Sequence, residues 1–166
     1  MRARTHTDKI VIHGAWTKPS MDVDAEWIYN IHVNENGWDD IGYHYIIKRD
    51  GTTEPGRPEG MAGAHCPATN GSSVGVCLIG GMSEDGEDEN NYTEEQWSSL
   101  HNLVVKLQAK YNIHTDAISG HYEKDSRKTC PSFDMNKFRQ AVDSYYTLFT
   151  DSRLQWVDFM GSVKDG

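Results

Sequence analysis

Three residues that can do chemistry lie close together near the end of the chain. His121, Lys128 and Cys130 fall within one polar loop, and a proline follows the cysteine. A loop of this kind can present an imidazole and a thiolate to one point in space. Those are ligands that a borderline-soft ion such as zinc prefers. The loop therefore predicts part of a metal site, which still needs a third ligand.

The predicted third ligand is His13, far upstream in the chain. It ends a short β-branched apolar run, residues 9–13, which reads as a buried strand. His121 also follows a short predicted strand, and α/β sheets usually place their ligands at the carboxyl ends of strands. Either histidine alone could be a structural residue at a strand end, with its hydrogen bonds made inside the protein. Together with Cys130, the pair indicates a shared site.

The other cysteines and histidines have simpler interpretations. Cys77 lies within an apolar strand pattern and is predicted to be a small core residue. A thiol nucleophile built from Cys66 and His65 is less favoured, because the two are adjacent in sequence and Pro67 follows. The histidines in or beside helical patterns are predicted to be solvated: His32, His101 and His114.

The chain lacks the common signatures of several other hydrolases. It has no His-Glu-x-x-His run and no phosphate-cradling glycine loop. The acidic run at 84–89 lacks the spacing of a calcium-binding EF-hand and is interpreted as a solvated turn. A glycosidase that cleaves sugars with two carboxylates remains an alternative, although the sequence singles out no pair of Asp or Glu residues.

Composition narrows the class of protein. A length of 166 residues suits a single domain, and a net charge of -9 argues against a nucleic-acid partner. No apolar run approaches ~18 residues, so no membrane span is expected. The polar N-terminus is unlike a secretory signal, which predicts synthesis in a cytoplasm. An odd count of 3 cysteines argues against a disulfide framework.

Strand and helix patterns alternate along the chain, which predicts an α/β fold with a central mixed sheet flanked by helices. Predicted strands cover residues 9–13, 43–48, 53–54, 74–79 and 117–119, and predicted helices cover 22–36, 93–111 and 132–148. One domain is expected over 1–150, with an arm at 1–8 that is disordered or loosely docked. Residues 151–166 are expected to form a short extra helix or a tail.

Five segments, in this order, resemble the zinc-dependent N-acetylmuramoyl-L-alanine amidases and, more distantly, the peptidoglycan recognition proteins. They are residues 11–13, 17–20, 42–51, 73–81 and 128–134. The resemblance spans residues 9–148. It implies an amidase-like single domain that binds one zinc ion and acts on bacterial peptidoglycan.

The resemblance also implies roles for individual residues. Its metal ligands correspond to His13, His121 and Cys130, and its catalytic pair to Tyr43 and Lys128. The bond cut is the amide between N-acetylmuramic acid and the first L-alanine of the stem peptide. Tyr43 would orient water or help move a proton, and Lys128 would stabilise the oxyanion. Without the resemblance, Tyr43 would be interpreted as an ordinary strand residue and Lys128 as a solvated surface lysine.

Four further residues have expectations attached. His65 and Asn70, on the long loop at 55–73, resemble substrate-groove residues of the family in context. His44 alternates with Tyr43, so it should point to the opposite sheet face and be structural. Glu123 is either an outer partner of the metal site or a plain surface carboxylate.

The expected function is that of a phage endolysin, a monomer that leaves the host cytoplasm through a holin-type lesion and degrades the cell wall. One rival is a peptidoglycan-binding module without catalysis, which could dispense with Cys130. Another is inhibition of a phage RNA polymerase, alone or added to the amidase. A phage member of the family does this partly through its N-terminal arm, and the arm is shorter here.

Overall fold

The computed structural model describes residues 1–147 and Val163, with the side chains of 145–147 left out. Its strands are β1 (Lys9–Gly14), β2 (Tyr45–Ile47), β3 (Thr53–Pro55), β4 (Ser73–Leu78) and β5 (Ile118–Gly120). Its helices are α1 (Ala25–Tyr29), which continues as a π-helical segment (Asn30–Glu35), α2 (Glu94–Tyr111) and α3 (Met135–Thr147). Short 3-10 turns at Thr115–Ala117 and His121–Glu123 flank β5.

The strands of this part of the chain form one mixed sheet in the order β3-β2-β4-β1-β5. All neighbouring pairs are parallel except β2 and β3, which form an antiparallel hairpin around Asp50-Gly51. Strand β1 lies between β4 and β5, so Ile10–Ile12 are paired on both sides. The predicted α/β class with a central mixed sheet and flanking helices is confirmed.

The two faces of the sheet bury different residues, because side chains alternate along a strand. Ile10 and Ile12 of β1 pack into the larger core cluster, whose other members include residues of α2 and α3. Cys77 of β4 lies in a smaller cluster on the other face, with Ile28 of α1, and is fully buried as predicted. His13, one residue after Ile12, therefore points away from the larger core.

Helix α2 forms as its sequence predicts. Its capping box is present: the Gln96 backbone N–H donates to Thr93 Oγ1 at 3.1 Å, and the Thr93 N–H donates to Gln96 Oε1 at 3.0 Å. The Gln96 amide also donates to the carbonyls of Ile47 and Ile79, which anchors the helix to the sheet. The apolar face of this helix is buried at Trp97, Leu100, Leu103, Val104 and Leu107.

One predicted helix is present but changes type along its length, and one prediction about a helical residue was wrong. The single helix predicted over 22–36 is short and then widens into the π-helical segment, where the Asn36 N–H donates to the Ile31 carbonyl at 2.9 Å. His101 of α2 is 5% exposed rather than solvated. It lies four residues after Trp97, on the same buried face, so helical spacing overrides the polarity of the side chain.

The N-terminal arm packs against the long loop. The Arg4 backbone N–H donates to the Gly60 carbonyl at 2.8 Å, and its guanidinium donates to the carbonyls of Met61 and Ser73. The predicted helix or tail at 151–166 lies outside the described residues, apart from Val163, whose carbonyl accepts a hydrogen bond from Asn90.

None of the helices in the described part of the chain has the length and apolarity needed to cross a membrane.

Candidate metal centre

Sheet pairing places the two predicted histidine ligands side by side. Ile12 of β1 is paired with Gly120 of β5, so His13 and His121 both follow this pair at the same edge of the sheet. The chain then turns back, because the Tyr122 N–H donates to the Cys130 carbonyl at 3.0 Å. That hydrogen bond holds the loop so that the thiol lies next to the imidazoles.

The three predicted ligands converge on one point. The Nδ1 atoms of His13 and His121 lie 3.1 Å apart, and Cys130 Sγ lies 3.4 Å from His121 Nδ1. All three ligand atoms lie within 4.8 Å of one another. A tetrahedral zinc ion with its usual bond lengths has edges of about 3.3 Å between two nitrogens and about 3.6 Å between nitrogen and sulfur. The two separations measured from His121 Nδ1 are close to those edges.

Burial sets the protonation of the imidazoles. His13 is 1% exposed and His121 is 8% exposed. Burial lowers the pKa of His13 well below its usual value, with help from nearby His65, and it also lowers the pKa of His121. Both rings are therefore neutral near pH 7, which is the form that binds a metal.

The thiol needs a cation to ionise. Burial raises the pKa of Cys130, although the Gly14 N–H and the Lys128 charge oppose the rise. A bound divalent ion would favour the thiolate outright. Two neutral imidazoles and one thiolate form a three-ligand set suited to zinc, with a fourth position left for water or substrate. The donor types and spacing of His13, His121 and Cys130 therefore fit a zinc ion.

Tyr43 and Lys128 both lie beside the ligand cluster. The ring centre of Tyr43 is 5.0 Å from that of His13, and burial raises the pKa of Tyr43 well above its usual value. Its phenol is therefore protonated and can donate a hydrogen bond. Lys128 is exposed at the rim, and its charge contributes to lowering the pKa of both histidines. A cation thus faces the point where the ligands meet.

Two cavities meet at this cluster. One has a volume of about 390 Å³ and the other about 370 Å³. Both are lined by Tyr43, His121, Arg127 and Lys128. A substrate that spans the two cavities would therefore cross the predicted ligands and the predicted catalytic pair.

The two predicted substrate-groove residues line the larger cavity and also have contacts inside the protein. His65 is 7% exposed, and its Nδ1 lies 2.9 Å from His13 Nε2. Burial lowers the pKa of His65 to about 3, so the ring is neutral. Asn70 Oδ1 accepts hydrogen bonds from the backbone N–H groups of His65 and Cys66 at 2.9 and 2.8 Å. Their binding of substrate stays a prediction.

His44 and Glu123 are engaged elsewhere. His44 is buried, and its Nδ1 accepts from the Gly75 N–H at 2.9 Å, as expected of a structural residue. The predicted opposite orientation was wrong, because the His44 ring centre lies 5.8 Å from that of His65 on the side of the ligand cluster. Strand β2 begins only at Tyr45, so strand alternation does not extend to residues 43 and 44. Glu123 forms a two-pronged ion pair with Arg139 and also accepts from the Gly120 N–H. Glu123 is therefore a structural partner of the strand end, and the cavities at the ligand cluster are lined without it.

Sequence reasoning missed two exposed tryptophans near the ligands. Trp38 is 40% exposed and lines the larger cavity, where its ring stacks near His32 at 4.5 Å. Trp16 is 55% exposed and lines the smaller cavity. The sequence held one signal for such a contact, because Trp16 is a large apolar residue in a loop three positions after His13. Exposed aromatic faces at a cavity rim are typical of ligand contacts.

Trp16 also adopts an unfavourable backbone conformation, with φ of 55°. An L-residue pays about 1–2 kcal/mol for the left-handed region, whereas glycine does not. We expect Trp16→Gly to leave the free energy of unfolding unchanged or higher while it raises KM for soluble muramyl-peptide fragments. Urea unfolding and steady-state kinetics measure the two quantities.

The matched control for that variant is Tyr29→Ala. Tyr29 is 41% exposed but lines neither cavity at the ligand cluster. We expect its KM to match that of the unmodified protein. An unchanged KM in Trp16→Gly would remove Trp16 from substrate binding.

Comparison with known proteins identifies relatives of this chain. The family model described as N-acetylmuramoyl-L-alanine amidase matches residues 3–133. The endolysin of Escherichia phage T7 is 43% identical over 137 residues, which covers 82% of this chain and 88% of the relative.

Solved structures give the same result. The endolysin N-acetylmuramoyl-L-alanine amidase LysCS from Clostridium intestinale URNW superposes with a TM-score of 0.72 at 30% identity, over 86% of this chain and 87% of that one. Drosophila peptidoglycan recognition protein LB superposes with a TM-score of 0.63 at 24% identity, over 80% and 82% of the two chains. The second likeness concerns the fold.

Proposed function

Since the chain belongs to the N-acetylmuramoyl-L-alanine amidase family, alongside phage endolysins, we propose that His13, His121 and Cys130 hold one zinc ion as its hydrolytic centre. The enzyme hydrolyses the amide between N-acetylmuramic acid and L-alanine in bacterial peptidoglycan, and it serves phage lysis. The observation that carries the zinc proposal is the convergence of one ligand atom from each of His13, His121 and Cys130 within 4.8 Å, with both histidine Nδ1 atoms turned toward the cluster.

A zinc ion bound there would supply a Lewis acid with an open position, which activates water near neutral pH. The chain's own residues do the rest. Their first task is to hold the scissile amide over the ligand cluster, and the two adjoining cavities offer room on either side. The substrate has two unlike halves, sugar and peptide, which we place in the two cavities.

Lys128 and Tyr43 then act on the reacting atoms. When water adds to the carbonyl carbon, negative charge develops on the carbonyl oxygen, and the Lys128 ammonium at the rim stabilises it. Tyr43 remains protonated, so its hydroxyl serves as a donor that orients the water or the substrate carbonyl. The thiol and both imidazoles are committed as ligands in this proposal and take no part in proton transfer.

Mass spectrometry of digested peptidoglycan tests the bond that is cut. We expect free stem peptides with an exposed alanine amine and glycan strands whose lactyl carboxylates are free. Shortened glycans with intact lactyl amides would indicate a glycosidase instead, and would contradict the proposal.

Metal removal tests the cofactor. We expect chelation to abolish hydrolysis without unfolding the domain, since the sheet and its core are built from other residues. Adding one equivalent of zinc should restore the activity, and magnesium, which prefers oxygen ligands, should not. Full activity of the metal-free protein would contradict the zinc centre.

Three finer points are also proposals. We propose that the enzyme acts as a monomer and reaches the wall from the host cytoplasm through a holin-type lesion. Sedimentation and lysis assays with and without a holin test these two. An added polymerase-inhibiting role stays a prediction, which a pull-down with the cognate phage RNA polymerase would decide.

A further inference from the structure

We propose that His65 is a positioning residue that holds His13 in the tautomer whose Nδ1 can bind the metal ion. The proposal rests on the zinc centre proposed above, and it assigns His65 a role inside the protein rather than in the substrate groove. Its basis is a chain of hydrogen bonds that runs from the metal-ligand cluster to a backbone carbonyl.

This series of hydrogen bonds has three links. His13 Nε2 lies 2.9 Å from His65 Nδ1, and His65 Nε2 lies 3.2 Å from Ser73 Oγ. Ser73 Oγ in turn lies 2.8 Å from the carbonyl oxygen of Thr69. His13 and Ser73 are almost fully buried and His65 is 7% exposed, so water competes little for these groups.

The carbonyl at the far end favours one direction for every link, because it is the nearest acceptor to Ser73 Oγ, at 2.8 Å against 3.3 Å for Thr69 Oγ1. A carbonyl oxygen only accepts, so Ser73 uses its single hydrogen to donate to Thr69. Ser73 Oγ must then accept from His65 Nε2–H, which leaves His65 Nδ1 without a hydrogen. His65 Nδ1 therefore accepts from His13 Nε2–H. In a neutral ring this leaves His13 Nδ1 with a free lone pair, aimed at His121 Nδ1 and the ligand cluster.

The opposite direction fits less well. If Ser73 donated to His65, its hydroxyl would no longer donate to its nearest acceptor, the Thr69 carbonyl at 2.8 Å, although that carbonyl would keep the Ser72 N–H at 3.0 Å. His65 Nδ1–H would then donate to His13 Nε2, and the hydrogen of His13 would move to Nδ1. That atom lies 3.1 Å from His121 Nδ1. A hydrogen there would block the only approach of a metal ion to His13.

The imidazole of His65 sits in a space that two glycines leave open. A Cβ added at Gly75 would lie 2.6 Å from the His65 ring, and one added at Gly63 would lie 2.4 Å from it. The backbone of His65 is also held, because its N–H donates to Asn70 Oδ1 at 2.9 Å. The ring is therefore fixed from several sides, as a group that orients a metal ligand requires.

Two substitutions separate the acceptor from the shape of the ring. His65→Phe keeps a ring but removes the acceptor, whereas His65→Asn can place its Oδ1 where Nδ1 stood. We expect His65→Phe to weaken zinc binding by about 10–100-fold, as loss of such outer partners does elsewhere. We expect His65→Asn to recover most of that loss. Competition with a chromophoric zinc chelator measures the affinity, and circular dichroism checks that each variant is folded.

A second readout needs no substitution. Long-range proton–nitrogen NMR of the metal-free protein reports which ring nitrogen of His13 carries the hydrogen. We expect it on Nε2 in the unmodified protein. A hydrogen on Nδ1, or equal zinc affinity in His65→Phe, would overturn the positioning role.

The two proposals fail differently. If the unmodified protein binds no zinc, the zinc centre fails, and the NMR result alone decides whether His65 sets the tautomer of His13. If zinc binds but the tautomer or the affinities go the other way, only the role of His65 fails.

Discussion

Cys130→Ala is expected to lose zinc and hydrolysis together. The substitution removes the single thiolate from a cluster that otherwise offers two imidazoles. Loss of an outer partner alone costs about 10–100-fold in metal affinity, so loss of a direct ligand should cost more than about 100-fold. Zinc content after dialysis and release of stem peptides from peptidoglycan measure the two effects.

Cys66→Ala is the matched control for that variant. Cys66 is also a buried free thiol, but it lies outside the ligand cluster. We expect it to keep its zinc and its turnover, although the small void should lower its stability somewhat. Hydrolysis by metal-free Cys130→Ala at the normal rate would refute the centre.

Lys128→Ala should keep its zinc and lose most of its turnover. Lys128 lies at the rim of both cavities but is not among the ligand atoms. Removal of one group that stabilises an oxyanion typically lowers kcat by about 10²–10³-fold. The loss should appear in kcat more than in KM, because the charge it faces develops only in the transition state.

Lys124→Ala is the control for Lys128→Ala. Lys124 is an exposed lysine of the same loop that lines neither cavity, so its kcat should be unchanged. A normal kcat in Lys128→Ala, with zinc bound, would remove Lys128 from the mechanism.

The convergence of the ligands was predictable because it depends on local patterns. The run before His13 and the strand before His121 are visible in the sequence, and parallel strands end at the same edge of a sheet. The capping box at Thr93 and the turn at Gly51, which has φ of 87°, follow from short-range chemistry in the same way. The motifs of a known family added the roles of individual residues.

The contacts around the site were not predictable in this way. His65 reaches His13 across 52 residues, and only the path of the long loop decides that contact. The hydrogen bonds from the Arg4 guanidinium to the carbonyls of Met61 and Ser73 are equally non-local. The positive φ of Trp16 and the widened helical turn after Tyr29 have no signature in residue type, since tertiary contacts impose them.

The most direct test of the zinc centre is X-ray absorption at the zinc K-edge on the protein loaded with one equivalent of zinc. We expect one sulfur at about 2.3 Å and two nitrogens at about 2.0–2.1 Å, with a light atom completing four-coordination. The sulfur should vanish in Cys130→Ala and persist in Cys66→Ala. A coordination shell without sulfur in the unmodified protein would contradict the zinc centre.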